Sequence, residues 1–274
     1  MSAEIWKDVI GYEGIYAVSS LGRIKNIKTG NEMAQEKNWA GYIRVGLSKN
    51  NKQKKCMAVS MIKLKDREEW LLNRKNFIGG SEISCIVGLN PYKSNIDLWE
   101  EKTGRKLPED ISNKPYVLYG IRAEEHLRAL FELDFPQYDV LYVENNSVVN
   151  DKFPWAAASL DGFLREKETG RRGVLEIKTT NILQSMQREK WDHRIPSNYY
   201  CQVLFYLAVT EFDFAIVKAQ LRYDYNGEIY HTTKHYHIER MEVIDDINYL
   251  MEKGAEFAGY IERDECPPLV LPEI

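Results

Sequence analysis

Charged and apolar residues alternate between residues 159 and 178, with a turn-rich segment at residues 166–173. Side chains of a β-strand point alternately to its two faces, so this alternation predicts two strands joined as a hairpin. On the second strand Glu176 and Lys178 share a face, about 7 Å apart, while Ile177 points into the core. Asp161 is predicted on the first strand, so two carboxylates and one ammonium group should meet at one edge of a sheet.

This group of side chains is suited to metal-assisted hydrolysis of a phosphodiester. Carboxylate oxygens bind Mg²⁺, and a lysine can orient or deprotonate a water or stabilise the developing negative charge. On an exposed hairpin the same residues would form an ordinary surface ion pair. Val174, Leu175 and Ile177 interleave with the charges, and this apolar setting favours the functional interpretation.

Helical patterns precede the hairpin. Residues 66–76 predict one helix, and two glycines then lead to Ser81, which has the character of an N-cap for a short helix. Such a turn can bind an anion, or it can be purely structural. A longer helix from residue 113 carries Glu124 at the border of the sheet. The residues of this helix predicted to face the core are Ile121, Leu127 and Leu130.

A second set of elements follows the hairpin. Pro196 opens a helix whose apolar stripe has Gln202 beside it, either as a satisfied core amide or as a contact to the site. Residues 213–237 predict a second hairpin that turns at Asn226 and Gly227. Residues 239–261 predict a long amphipathic helix.

The composition is that of an ordinary soluble protein with room for one large domain and one small domain in 274 residues. We find no run of 18 uncharged apolar residues and no signal peptide, so we expect an intracellular, cytoplasmic protein that does not enter the membrane. The four cysteines lack the spacing of a zinc site and are expected to be free thiols.

Basic charge is concentrated at the front of the chain. Residues 1–65 contain 12 Lys and Arg against 5 Asp and Glu, whereas the remainder contains 25 against 36. A basic module on an acidic body suggests that the front contacts a polyanion, although a lysine-rich solvated surface explains the charge equally well. We therefore divide the chain into a small basic module, residues 1–65, and a larger domain, residues 66–274.

The basic module contains a pattern of aromatic, glycine and small residues over about 20 positions. Its members are Trp6, Asp8, Gly11, Tyr12, Gly14, Tyr16, Val18, Ser19, Leu21, Gly22 and Arg23. The pattern resembles the modular motif found beside HNH homing endonucleases, which implies a DNA-binding accessory role, with partner-protein binding as the alternative. All five histidines lie at residue 126 or beyond, so no HNH catalysis can come from this module.

Five short motifs follow in order between residues 70 and 210. They are Arg74 and Ser81 in RKNFIGGSE, Glu124 after Gly120, Asp161 in SLDG, Glu176 and Lys178 in EIK, with Ile177 between them, and Gln202 in YYCQ. This series resembles the phage recombination exonucleases of the YqaJ and lambda exonuclease type, within the restriction-endonuclease-like superfamily. Most YqaJ-type members have Asp where this chain has Glu82.

The resemblance implies an α/β (α+β) fold with a restriction-endonuclease-like core, in which helices flank a mixed central sheet, and a small β-rich N-terminal module. It implies two-metal hydrolysis, in which Asp161 and Glu176 bind two ions about 3.5 to 4 Å apart, with Glu124 and the Ile177 carbonyl as further ligands. Lys178 would position or activate water, Gln202 would complete the site, and Arg74 and Ser81 would hold the terminal phosphate.

The implied activity is a Mg²⁺-dependent exonuclease, with Mn²⁺ able to substitute, that digests one strand of linear duplex DNA from its 5′ end and leaves 3′ overhangs. The resemblance further implies a phage or prophage origin, a trimeric ring around DNA, and a single-strand annealing protein as partner. An endonuclease on the same fold is one alternative, since fold does not fix substrate. A non-catalytic protein that binds DNA ends is another.

Overall fold

The computed structural model describes residues 6–9, 14–19, 23–33, 35–37, 43–45 and 59–271. The chain divides into two compact units, Met1–Ala58 and Val59–Ile274. Four motif residues of the front module lie outside the described residues: Gly11, Tyr12, Leu21 and Gly22. Cys56 also lies outside them.

The first unit is built of short antiparallel strands. One sheet has the order β1 (Trp6–Asp8), β2 (Tyr16–Ser19) and β3 (Ile24–Asn26), and a separate pair is formed by β4 (Gln35–Lys37) and β5 (Ile43–Val45). The small β-rich N-terminal module that the resemblance implies is confirmed. On the first sheet, the Lys25 ammonium group lies 4.0 Å from the centroid of the Trp6 ring.

A five-stranded mixed sheet forms the centre of the second unit. Its order is β14 (Glu228–Glu239), β13 (Phe214–Tyr225), β12 (Arg172–Ile182), β11 (Gly162–Glu166) and β8 (Tyr138–Leu141). Only β12 and β13 run parallel; the other neighbours are antiparallel. Both predicted hairpins are confirmed, β11–β12 and β13–β14. The second turns at Asn226 and Gly227, which both have positive φ, as a tight type I′ turn requires.

A smaller four-stranded sheet has the order β6 (Val59–Lys63), β9 (Asn146–Asn150), β10 (Phe153–Ala158) and β7 (Ile78–Gly79). The predicted boundary of the front module lies after residue 65. In the structure β6 pairs with β9 over all five of its residues, so residues 59–63 belong to the sheet of the second unit.

Seven α-helices of the described chain flank these sheets. They are α1 (Arg67–Lys75), α2 (Gly80–Ile86), α3 (Asn95–Lys102), α4 (Pro115–Asp134), α5 (Ser185–Glu189), α6 (Ser197–Thr210) and α7 (Ile244–Glu262). A 3₁₀ turn at Arg240–Val243 precedes α7, so the last helix begins later than predicted. Within the described ranges, none of these helices has both the length and the hydropathy needed to cross a bilayer.

The core lies on both faces of the central sheet. On one face α6 is buried at every position from Cys201 to Thr210 and packs against α2 and α7. On the other face α4 contacts the sheet through a narrow stripe that contains Ala123, Leu127 and Phe131. The prediction that Ile121 and Leu130 also face the core is wrong. Their side chains are 56% and 49% exposed, because the narrow stripe leaves the flanks of the helix in solvent.

Candidate active site

Every residue that the sequence proposes for the site lines one cavity of 270 Å³ in the second unit. These residues are Arg74, Ser81, Glu124, Asp161, Glu176, Ile177, Lys178 and Gln202. They come from α1, α2, α4, β12, α6 and the residue that precedes β11. The structure thus brings the whole set together, while the chemical role of each residue stays a prediction.

The cavity opens where β11 and β12 separate. Their pairing ends at Gly162 and Leu175. The next amide of β12 that faces β11 therefore has no carbonyl of that strand to donate to. The Ile177 amide instead donates to Oδ2 of Asp161 at 2.8 Å. Asp161 therefore lies one residue before β11, not on the strand as predicted, because its carboxylate takes the position that a strand partner would fill. The Ile177 side chain packs in the core beneath α4, as predicted.

Glu176 and Lys178 share the opposite face of β12. Nζ of Lys178 lies 2.6 Å from Oε1 of Glu176, and it donates to Oε1 of Gln202 at 3.0 Å. Nε2 of Gln202 in turn donates to Oε1 of Glu176 at 2.8 Å. Gln202 thus satisfies both descriptions given by the sequence: it is a buried amide with its hydrogen bonds made, and it contacts the charged pair.

Tyr206 follows Gln202 by one helical turn and extends this network. Nε2 of Gln202 also donates to the Tyr206 hydroxyl at 2.8 Å. The Tyr206 ring lies directly against the backbone of Gly80, where an added β-carbon would be 2.3 Å from the ring. The glycine at the start of α2 is therefore a packing requirement of the cavity wall.

Glu124 borders the sheet as predicted, whereas Glu125 faces solvent. Arg128, one turn further along α4, donates to Oε1 of Glu124 at 2.5 Å and to the backbone carbonyl of Asp161 at 2.6 Å. The same guanidinium group lies 3.6 Å from the centroid of the Tyr142 ring. Arg128 thus fixes the position of Glu124 relative to Asp161.

Arg74 and Ser81 form the other end of the cavity. The Arg74 guanidinium group stacks 4.6 Å from the Trp70 ring centroid and donates to Oγ of Ser81 at 3.1 Å. The N-cap of α2 is Gly79, so the prediction that Ser81 caps this helix is wrong. The physical reason is Glu82, whose Oε2 reaches back to the Gly79 amide at 2.8 Å and ties down the helix start.

A buried lysine holds this end of the cavity in place. Nζ of Lys102 lies 2.9 Å from Oε2 of Glu82 and donates to the backbone carbonyls of Arg74 and Phe77 at 3.0 and 2.5 Å. The connection between α1 and α2 is therefore anchored to α3. The longer glutamate side chain at position 82 has a structural function in this chain.

Burial and mutual repulsion shift the titration of the acidic residues. Burial, reinforced by the negative charge of Asp161, raises the pKa of Glu176 to about 8 and that of Glu124 to about 7. Burial also raises the pKa of Asp161. For Lys178, burial lowers the pKa, but the charges of Glu176 and Asp161 outweigh it and the net pKa is raised. The ammonium form of Lys178 is therefore favoured.

These residues fit a divalent cation. Within the part of the chain that the structure describes, Oε2 of Glu176 is buried and has no hydrogen-bond partner, and an acceptor in that position is costly unless a cation or donor meets it. Within the described ranges no three His, Cys, Asp or Glu side chains are already clustered as in an assembled metal centre. Among the described residues Glu124 forms an ion pair with Arg128, whereas neither Asp161 nor Glu176 forms one with an arginine.

Three residues of the site were missed by the sequence analysis. Tyr206 and Arg128 each follow a predicted residue by four positions on a helix, and that spacing places them on the same face. Ser159, the first residue of SLDG, lines the cavity and accepts a hydrogen bond from the Trp70 indole at 3.1 Å. The i, i+4 spacing is the signal that could have identified the first two.

None of the described cysteines and none of the three histidines on β14 lines this cavity. Cys85, Cys201 and Cys266 are free thiols. His231, His235 and His237 are exposed on β14. His237 stacks on Phe214 with ring centroids 5.2 Å apart.

Residues 69–213 match the family model of the YqaJ-like viral recombinase domain, which is more than half of the chain. The chain belongs to the YqaJ-like viral recombinase family. It is 31% identical over 145 residues to the YqaJ protein of Bacillus subtilis (strain 168), a match that covers 52% of this chain and 42% of that protein. The resemblance found in the ordered motifs is thereby confirmed.

The first unit is similar to a different group of proteins. Residues 4–48 match the NUMOD4 motif. The chain is 45% identical over 49 residues to the DNA endonuclease I-HmuI of Bacillus phage SP01, covering 18% of this chain and 28% of that protein. The chain thus spans less than half the length of the curated relatives that it matches.

The fold is similar to that of an alkaline exonuclease, LHK-Exo, from Laribacter hongkongensis. The match has a TM-score of 0.52 at 19% identity and covers 72% of this chain and 95% of that one. At this identity the likeness concerns the fold alone. It confirms the predicted fold class, a mixed sheet flanked by helices, with the β-rich first unit added to it.

Proposed function

We propose that this protein is a Mg²⁺-dependent exonuclease that digests one strand of linear double-stranded DNA from the 5′ end and leaves 3′ overhangs for phage-type recombination. The observation that carries the proposal is the shared cavity. It joins Asp161, Glu176 and Lys178 at one end to Arg74 and Ser81 at the other. The names of two relatives, an alkaline exonuclease and a DNA endonuclease, agree with a nuclease.

The acidic residues would hold the cation. Asp161, Glu176 and the carbonyl of Ile177 would bind it, with Glu124 as the additional carboxylate. When bound, a divalent cation polarises the scissile phosphate and makes water a stronger nucleophile at neutral pH. The unpartnered Oε2 of Glu176 supports this assignment, because the site lacks a positive group at that atom.

The remaining residues orient the reactants. Lys178 would place the attacking water and stabilise negative charge on the phosphate, and Gln202 would keep Lys178 and Glu176 aligned through its amide. Arg74 presents a guanidinium group whose plane is already fixed by Trp70, so it is suited to a terminal phosphate. A 5′ phosphate bound there would set the distance to the scissile bond.

The proposal extends to the rest of the molecule. The first unit would bind DNA, since it is basic and matches a motif associated with homing endonucleases. The protein would act in the cytoplasm of a bacterial host, as a trimeric ring around duplex DNA, together with a single-strand annealing protein. Mn²⁺ would replace Mg²⁺.

The test is digestion of linear duplex DNA labelled separately at the 5′ and 3′ ends, with Mg²⁺ or EDTA, beside covalently closed circles. We expect Mg²⁺-dependent release of 5′-terminal nucleotides, with the circles intact. Cut or nicked circles would instead indicate an endonuclease. Tight binding of ends without cleavage would indicate a binding protein, and release from 3′ ends would overturn the polarity.

A further inference from the structure

A second cavity, of 440 Å³, adjoins the candidate active site, and the proposed function does not use it. It lies between the loop after α2 and the chain that leads into α6. Its lining combines two cationic side chains, two tyrosines and a threonine. We call it the aromatic-basic cleft, defined by Tyr92, Thr180, Lys190, Arg194 and Tyr199.

The cleft continues directly from the active-site cavity. Thr179 lines the first cavity and Thr180 lines the cleft. Thr180 follows Lys178 on the same face of β12, because side chains alternate along a strand. Nζ of Lys178 lies 4.7 Å from the centroid of the Tyr199 ring. Lys178 therefore has the candidate reacting groups on one side and the cleft on the other.

Helix α6 sets the order of the three subsites. Tyr206 packs on Gly80 next to Ser81, Gln202 contacts Glu176 and Lys178, and Tyr199 lines the cleft. Tyr206 and Tyr199 are about 10 Å apart along the helix axis, at 1.5 Å per residue. That is about three nucleotide steps at 3.4 Å per step of a DNA strand. A strand with its 5′ phosphate on Arg74 would cross the scissile position and enter the cleft.

The chemistry of the cleft suits single-stranded nucleic acid. In the described part of the chain neither Lys190 nor Arg194 forms an ion pair with an acidic side chain, although the second unit is acidic overall. Tyr92 is 89% exposed, so its ring is accessible to a ligand in the cleft. Among the described residues, Oγ1 of Thr180 is buried without a hydrogen-bond partner. Aromatic rings that stack on bases and cations that follow the backbone are the two components of single-strand binding.

We propose that the aromatic-basic cleft binds the digested strand on the 3′ side of the scissile phosphate. The base of the second or third nucleotide stacks on Tyr92, and Lys190 and Arg194 bind the phosphates that follow. The inference rests on the proposed function, because it places the strand relative to Lys178. It adds a binding site that the exonuclease motifs do not contain.

The test uses 5′-phosphorylated duplexes in which one nucleotide of the digested strand is abasic, at the second, third or tenth position. For the wild-type protein we expect kcat/KM for release of the first nucleotide to fall about tenfold when the second or third base is missing, as for the loss of one stacked base. The tenth position should have no effect. In Tyr92→Ala the penalty for the missing base should disappear. Tyr225→Ala, which removes another exposed tyrosine, should retain it.

The roles of Lys190 and Arg194 are tested by the salt dependence of DNA affinity. The double variant Lys190→Gln, Arg194→Gln should lower the slope of log affinity against log salt by about 0.7 for each phosphate that the protein no longer binds. Arg165→Gln, an exposed cation on β11, should leave the slope unchanged. An abasic penalty that persists in Tyr92→Ala, together with an unchanged slope in the double variant, would overturn the inference.

A failure of the proposed function can be distinguished from a failure of this inference. If the wild-type protein cleaved none of the duplexes, the exonuclease assignment would fall. The affinities of the same oligonucleotides, measured by fluorescence anisotropy, would then decide the role of the cleft. Loss of the abasic penalty in Tyr92→Ala would support the inference, and a retained penalty would overturn it.

Discussion

A β-carbon on Gly80 would stand 2.3 Å from Cε1 of Tyr206, so the two residues fit only because position 80 is a glycine. Both residues are buried between α2 and α6, where neither backbone can move freely. We expect Gly80→Ala to lower the free energy of unfolding by about 1–3 kcal/mol, the usual penalty of overpacking. Urea unfolding measures this value, and cleavage should fall with it, because Tyr206 supports Gln202.

Two further variants separate this clash from a general effect of alanine. In Gly79→Ala the nearest neighbours of the added β-carbon would be 3.6 Å away. This variant should lower the free energy of unfolding by less than about 1 kcal/mol. Tyr206→Leu makes room for the new methyl group, so Gly80→Ala in that background should be far less destabilising. Strictly additive free energies in the double variant would show that the two side chains do not collide.

Lys178→Ala should abolish cleavage and largely spare DNA binding. The residue contacts Glu176 and Gln202 at the floor of the cavity, so its loss removes a proton donor and a positive charge from the reacting position. We expect kcat to fall by at least about 100-fold, measured on end-labelled duplex, with affinity measured separately in EDTA.

The matched control is Lys218→Met. Lys218 is also buried in the sheet, but it is opposite Ile177 in register and faces α4, where it lies 3.4 Å from Asp134. Its replacement should leave kcat nearly unchanged. Equal loss of binding and cleavage in Lys178→Ala would contradict the role given to Lys178.

Stability without metal should fall as pH rises. The pKa of Glu176 is raised from 4.5 to about 8, so the folded protein binds more protons than the unfolded chain between these values. Its contribution to the free energy of unfolding is complete below pH 4.5 and lost as pH rises through 8. In EDTA, we expect Tm to decline across this window more steeply for the wild type than for Glu176→Gln.

Mg²⁺ should reverse this trend. The cation competes with protons for Glu176 and Glu124, whose pKa values are raised to about 8 and about 7. The increase in Tm on adding Mg²⁺ should therefore be larger at about pH 8.5 than at about pH 6. A Mg²⁺ effect that is the same at both pH values, or that persists in Glu176→Gln, would remove these carboxylates from the metal site.

The first unit should contribute salt-sensitive DNA affinity. Lys7 and Lys28 are exposed cations in the described part of this unit. If they contact phosphates of duplex DNA, Lys7→Gln and Lys28→Gln should each lower the slope of log affinity against log salt by about 0.9. Cleavage of saturating DNA should be unchanged. Unchanged slopes in both variants would favour a partner protein as the ligand of this unit.

The sequence was sufficient to predict the local elements of the site. Charged and apolar residues alternate around Glu176 and Lys178, and a repeat of two residues is typical of a strand and not of a helix. The glycine-containing turn before this strand predicts the hairpin. The residues assembled in the cavity were found because each lies in a short motif with its own chemical character. Their order along the chain supplied the family, and the family supplied the fold.

The orientation of helices and the exact caps could not be predicted in this way. Ile121 and Leu130 have the correct periodicity for a core, but periodicity does not say how wide a stripe the sheet will cover. Ser81 is a good N-cap residue, yet Glu82 reaches back to the Gly79 amide and moves the helix start. Such outcomes depend on contacts between distant elements, which a single sequence does not display.

Helix α6 supplies one wall of the cavity. It begins at Ser197, well after β12 has ended at Ile182. Gln202 is therefore the last of the predicted site residues to be synthesised, and Glu176 and Lys178 lack their amide partner until it has left the ribosome. A nascent chain that carries the first seven of these residues has no closed site. If the protein has the proposed nuclease activity, the order of these elements delays assembly of the site until about two-thirds of the second unit, residues 59–202 of 59–274, has been made.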